Sequence, residues 1–394
     1  MSRTLRRVSR SALLTPETRP AMKHLGSLSL YKPHFPEAAR RAAIEVLSTS
    51  EIASGPWVSR FEERLKGYLG NSNLTTMGDG STAISICLHL AGVRPDDEVI
   101  ACPMACLATN APIRAVLATP KWCDIDPGTG TLCCADLGNC LTQRTKAILV
   151  YHWGGNPADL APICAFARQH GLAVVDDAGE ALGSEYQGRK IGNTGTDFTV
   201  FSFYPNRHIT TIDGAAVTFA SSKQSGRARY FKRYGIDLSR FRTSDGEIDP
   251  NCDIPETGWS SYLNNVAASI GCVQMESLSE IVKRRIANGE YYDTALSGLA
   301  GVTVLRKPPG SRASSWVYTF LAERRQELAQ KLREKGIQTS ALHCRNDRYT
   351  GFGSRQRDLP GVTLFSNHCL SIPSGWWVQK EDREYVVGQI REGW

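Results

Sequence analysis

Phe201-Ser-Phe-Tyr-Pro-Asn-Arg-His-Ile-Thr-Thr211 is the stretch on which the reading of this chain turns. The apolar run Asp197–Phe203 predicts a strand that delivers Ser202 to its carboxyl end. A polar loop carrying Arg207 and His208 then leads back to a second apolar run, Ala215–Phe219. Taken alone, the stretch is equally an ordinary strand–turn–strand connection. Its meaning depends on what the rest of the chain places beside it.

From about residue 73, short β-rich runs alternate with helical patterns, which predicts an α/β fold built on βαβ units. Expected strands are Leu74–Met77, Glu98–Cys102, Lys121–Asp124, Ala147–Tyr151, Ala173–Asp176, Asp197–Phe203 and Ala215–Phe219, with helices over Ser81–Leu90 and Asp159–His170. Runs this apolar suit strands covered on both faces. Ligands of such sheets bind beyond the carboxyl ends of the strands. Gly78-Asp-Gly-Ser-Thr82, Asp177 and Arg207 each fall just past an expected strand end, so one sheet edge gathers them.

After a polar stretch, Asp237–Thr257, the pattern predicts a helix within Tyr262–Leu296. An α+β ending follows: strands at Val302–Leu305 and Trp316–Leu321, helices at Arg325–Lys335 and Lys380–Ile390. The expected organisation is a basic tail over 1–27, a large domain with an N-terminal arm over 28–274, and a small domain over 275–394.

The bulk numbers exclude several classes. With 394 residues the chain has room for two or three packed domains, and 41% hydrophobic with 22% charged residues is ordinary globular composition. No apolar run approaches the ~18 residues needed to cross a bilayer. Residues 1–23 carry +5 of the net +7, so the body is close to neutral and offers no field for nucleic acid. That basic start reads as a disordered tail, with a transit-like segment or a misplaced start codon as alternatives, and the absence of an apolar h-region argues against a secretory signal. Twelve cysteines form no CxxC pair and no zinc spacing. They read as small buried hydrophobes of a reducing cytoplasm, and no metal site is expected.

Three motifs carry chemistry. Gly78–Thr82 opens a helix directly after a strand. Its free N–H groups at Gly80 and Ser81, with the Ser81 and Thr82 hydroxyls, suit a phosphate, although a Ser/Thr-capped glycine turn explains it equally well. Val174-Val-Asp-Asp-Ala-Gly-Glu-Ala-Leu-Gly183 puts Asp177 at a strand end, where a carboxylate can pair with a pyridinium nitrogen and hold it protonated. Glu180 lies one turn on, facing the ring's substituents. Capping a following helix is the competing role for Asp176 or Asp177. Ser202 completes the set.

Together these segments resemble the DegT/DnrJ/EryC1/StrS family of sugar aminotransferases. The likeness runs from roughly Leu28 to Trp394 and includes Ile52-Ala-Ser-Gly-Pro56, Asp97-Glu-Val-Ile100, His152-Trp-Gly-Gly155, Gly258-Trp-Ser-Ser-Tyr-Leu-Asn264 and His343-Cys-Arg-Asn-Asp347. The resemblance implies the pyridoxal-phosphate fold type I of aspartate aminotransferase: a large domain with a seven-stranded, mainly parallel sheet and a smaller C-terminal α+β domain. It implies Asp177 as pyridinium partner, Glu180 near the cofactor hydroxyl, and Gly80, Ser81 and Ser202 as the phosphate cradle. It also implies a nucleotide-linked keto sugar as substrate, glutamate as amino donor and a homodimer with sites at the subunit boundary. His343, Arg345 and Asn346 are candidates for touching the sugar, with a surface turn as the alternative.

Departures from the family pattern are as informative. Arg207 stands where the family has its Schiff-base lysine. A lysine can lose its proton and attack an aldehyde, whereas a guanidinium stays protonated and cannot. Ala215 replaces a usual glycine, and Cys106 and Leu107 fall where many members carry a stacking aromatic residue. Ser260 and Tyr262 occupy a loop that often sends an asparagine to the partner's phosphate. One branch of the family uses histidine at the lysine position for dehydration. Here His208 is one residue later, which favours a background role over that of transferred base. The expectation is an enzyme holding pyridoxal or pyridoxamine phosphate without a covalent bond, with Arg207 as a fixed cation. The alternatives are an inactive subunit, alone or paired with an active paralogue, a lysine-independent dehydratase or isomerase, and a cofactor-free catalyst.

Overall fold

The computed structural model describes residues 27–353 and 357–394. The charged residues of the expected basic tail lie outside them. The strands are β1 (Leu74–Met77), β2 (Glu98–Ala101), β3 (Thr119–Trp122), β4 (Thr145–Tyr151), β5 (Ala173–Asp177), β6 (Phe198–Ser202) and β7 (Ala215–Phe219), followed in the small domain by β8 (Val302–Val304), β9 (Tyr318–Ala322) and β10 (Cys369–Ile372). The helices used below are α1 (Glu37–Leu47), α2 (Pro56–Leu69), α3 (Gly80–Leu90), α4 (Leu107–Ala115), α5 (Leu160–His170), α6 (Ser222–Phe231), α7 (Asn265–Leu296), α8 (Arg325–Glu334) and α9 (Lys380–Arg391).

The first seven strands form one sheet in the order β1-β7-β6-β5-β4-β2-β3. Only β7 runs against its neighbours within it, so the sheet is mainly parallel. Apart from the edge strand β3, whose residues alternate between buried and half-buried, its strands are largely buried on both faces, as their apolar composition requires. β8, β9 and β10 make a separate antiparallel sheet.

β3 begins two residues earlier than its apolar run suggests and takes in Pro120. Proline cannot donate to a ladder and is accepted on an edge strand, and β3 is the edge. α7 is a single 32-residue helix capped by the Asn264 side chain, and the expected 274/275 boundary falls inside it. Leu278, Val282 and Ile286 belong to the large-domain core, while Tyr292 and Leu296 belong to the small-domain core with Phe320, Leu328 and Ile390.

A buried charge network locks β1 to two helices. Glu62 of α2 accepts hydrogen bonds from the Thr76 N–H at 2.8 Å and from the Thr75 and Thr76 hydroxyls at 3.1 and 3.0 Å. Arg229 and Lys232, at and just past the end of α6, approach the same carboxylate at 3.3 and 3.7 Å. This network fixes the strand whose end leads into the N-terminus of α3.

Candidate functional site

The loops after β1, β5 and β6 open onto a cavity of about 530 Å³. At one end is the start of α3. Asp79 caps the helix, its carboxylate accepting the Thr82 N–H at 2.7 Å. The N–H groups of the first turn have no acceptor within the helix. Gly80 and Ser81 line the cavity there, opposite Ser202; a Cβ built on Gly80 would sit 3.6 Å from that of Ser202. Thr82 lies one step further along the helix and is not part of the lining.

Asp177 closes β5 and faces the same space. Its Oδ2 accepts the Thr109 hydroxyl at 2.5 Å and its Oδ1 the Gly179 N–H at 2.9 Å. Burial pushes this carboxyl above its ordinary range, more than the two hydrogen bonds and nearby Arg207 pull it down. Each oxygen accepts one hydrogen bond and keeps a lone pair, so a cationic N–H is well matched to the site.

Arg207 sits in the β6–β7 loop, its guanidinium 4.5 Å over the Trp316 ring and its Nη1 3.2 Å from Glu180 Oε1. Burial works against the charge, but Glu180, Tyr151 and Asp177 more than offset it, so Arg207 is held above its ordinary pKa and remains a cation. Its buried Nε has no acceptor among the described residues. Glu180 is itself buried, which would raise its pKa; His343, Arg207 and Tyr151 outweigh this and hold it below the usual range. Its Oε2 accepts the Gly154 N–H at 2.9 Å. The turn that delivers this N–H needs Gly155 at φ +90°, where a Cβ would come 2.8 Å from the Glu180 carbonyl oxygen.

Of the residues expected at the sugar, His343 lines the cavity, with Nε2 3.0 Å from Tyr151 Oη. Arg345 is instead bidentate on Asp347, at 2.7 and 2.6 Å. Asn346 is buried against Asn110 and the Ala105 carbonyl. His208 does not line the cavity; burial first, then Arg285 and Arg207, push it well below the ordinary imidazole pKa, so it is neutral.

The motif reading missed Tyr31, Thr109, Tyr151 and Trp316. Tyr151 had a usable signal, since it ends an expected strand on the ligand edge. Tyr31 and Trp316 come from distant segments and meet as stacked rings 5.0 Å apart, which no local pattern announces. Away from the cavity, Cys123, Asp136 and Cys140 bring their ligand atoms within 4.8 Å of one another. Asp136 already accepts the Asp124 N–H and the Arg357 guanidinium.

The donors around the cavity fit a pyridoxal-phosphate-type group. Asp177 suits a protonated ring nitrogen, the α3 N-terminus with Ser81 and Ser202 suits a phosphate, and the orphaned Nε of Arg207 suits an anionic oxygen. A covalent hold is another matter, because no lysine lines the cavity among the described residues.

Comparison with known proteins gives a consistent result. The profile of the DegT/DnrJ/EryC1/StrS aminotransferase family matches residues 34–391. The chain is similar to GDP-perosamine synthase of Caulobacter vibrioides, 30% identical over 325 residues that cover 81% of this chain and 85% of that one. Among solved structures it resembles the sugar aminotransferase CalS13 from Micromonospora echinospora, with TM-score 0.88 and 29% identity over 93% of this chain and 100% of that one. It resembles AtS13 from Actinomadura melliaura equally, with TM-score 0.88 and 30% identity over 94% and 100%.

Proposed function

The chain belongs to the DegT/DnrJ/EryC1/StrS aminotransferase family, and from that premise we propose that it acts on a nucleotide-linked keto sugar, or a related polysaccharide or secondary-metabolite precursor, with pyridoxal or pyridoxamine phosphate held without a covalent bond. The observation that carries this reading is the cavity itself: Asp177, Gly80, Ser81 and Ser202 share it with Arg207, and no lysine among the described residues lines it.

When bound, the pyridine ring supplies an electron sink for charge developing on an adjacent carbon. Asp177 keeps the ring nitrogen protonated. The N–H groups of α3 with Ser81 and Ser202 hold the phosphate. Arg207, pinned by Glu180 and Trp316, holds an anionic oxygen as a fixed cation. It takes no proton, so lysine-based transamination is not expected, and a dehydration or isomerisation outcome suits the same residues.

Replacing Asp177 by asparagine removes the buried counter-charge while keeping the shape. Truncating one partner of a buried, hydrogen-bonded charge pair costs about 2–5 kcal/mol. Pyridoxamine phosphate binding, followed by its absorbance, is therefore expected to weaken about 30-fold or more in Asp177→Asn. A wild-type chain that binds none of it overturns the proposal. That result would favour the second reading, an inactive subunit paired with a lysine-bearing paralogue, which the Arg207–Glu180 ion pair in the nucleophile's place supports.

Exposed apolar side chains stand at or beside the cavity lining: Tyr204, 53% accessible, lines it, while Leu107 at 49% and Ile212 at 59% are chain neighbours of the lining residues Cys106 and Asp213. Such a surface suits a second copy of the chain. The proposed homodimer is expected to dissociate in Ile212→Asp, read by light scattering; a wild-type monomer would refute it.

A further inference from the structure

Chemistry at carbon needs a group that takes a proton and gives it back near neutral pH. Around the cavity, Arg207 cannot, because a guanidinium does not give up its proton. Glu180 is anchored as an anion by three neighbours. Tyr151 keeps its proton, since burial and the Glu180 charge push its hydroxyl well above the ordinary range. Asp177 accepts the Thr109 hydroxyl and the Gly179 N–H, and its remaining lone pairs are assigned above to the ring nitrogen.

His343 is built differently. Its Nε2 lies 3.0 Å from Tyr151 Oη and 3.6 Å from Glu180 Oε1, and its ring packs edge-on against Trp153 at 5.5 Å. A carboxylate behind Nε2 favours the tautomer protonated there, which leaves the lone pair on Nδ1. Nδ1 has no hydrogen-bond partner among the described residues, and His343 lines the cavity.

We propose that His343, rather than Arg207, is the proton-transferring residue of this cavity, with Tyr151 and Glu180 setting its tautomer. Nδ1 takes the proton from a C–H bond of the bound molecule, whose electron pair stays on that molecule. The imidazolium then returns the proton to another atom of the same molecule, so the ring ends as it began and no co-reactant is consumed. This assignment rests on the functional reading above.

Two measurements test it. In ¹⁵N-histidine-labelled protein with nothing added, His343, assigned by its loss in His343→Ala, is expected to show a protonated Nε2 and a bare Nδ1; the opposite tautomer overturns the proposal whatever the chain binds. In deuterated water with pyridoxamine phosphate bound, wild type is expected to exchange the cofactor's aminomethyl protons, and His343→Ala to do so about 10²–10⁴-fold more slowly. Imidazole added to the buffer should restore much of that rate, which a structural role for His343 would not allow. Unchanged exchange in His343→Ala, with the cofactor bound equally, overturns the proposal alone. Failure of wild type and variant alike to bind the cofactor overturns the functional reading, and the catalytic assignment with it.

Discussion

Arg207→Lys is expected to gain a covalent hold on pyridoxal phosphate that the wild type lacks. The backbone at this position is already fixed, with the Arg207 N–H bonded to the Tyr204 carbonyl at 3.0 Å. The shorter side chain would enter the same slot, beside the Glu180 carboxylate and over Trp316. A lysine amine there could lose its proton and condense with the cofactor's aldehyde, the aldehyde oxygen leaving as water. Borohydride should then fix a mass increase on the variant and none on the wild type. The variant should also convert glutamate and pyridoxal phosphate at least about 10²-fold faster, the contribution typical of one restored acid–base group. Gaining neither would mean that the cavity serves other chemistry.

The second large effect is on stability. Glu62→Ala removes the carboxylate that joins β1 to α2 and α6. It leaves Lys232, only 8% exposed, without its carboxylate partner, and strips an acceptor from Thr76. Breaking a buried pair this way costs about 3–5 kcal/mol, and denaturant unfolding should show it. Adding Lys232→Met should recover part of the loss. The pH dependence has a definite sign for each group. Burial raises the Glu62 carboxyl, but Lys232, the Thr76 N–H and Arg229 bring it below its ordinary 4.5. Its contribution is therefore present above pH 4.5 and lost as pH falls through the lowered value. Burial pushes Lys232 down from 10.5 to about 8 despite Glu62. Its charged form therefore costs stability below pH 8, and that cost fades between pH 8 and 10.5. In Glu62→Ala the acid-side loss should shrink.

The parts legible in the sequence were those that obey local rules. β1 and β7 have the expected bounds because each is a short, wholly buried run between polar turns. Asp177, Gly80 and Ser202 were legible because a parallel sheet sends its strand ends to one edge. α4 went unread, since Pro112 lies inside it and Cys106 caps nothing. α1 carries Ala39, Ala42 and Val46 at helical spacing, a local signal that the sequence does hold. Arg345 and Asn346 look like ligand-binding residues in sequence, yet both are consumed by internal contacts. Trp316 and Tyr31 reach the cavity through chain folding over long separations, and local patterns hold no record of that.

The unbroken helix α7 has a mechanical consequence. At 1.5 Å per residue its 32 residues span about 48 Å. Its middle lies under one core and its end under the other. Separating the two cores would require melting a helix from its interior, which is far harder than fraying an end. The helix therefore ties the two cores together, and heat is expected to melt both in one cooperative step.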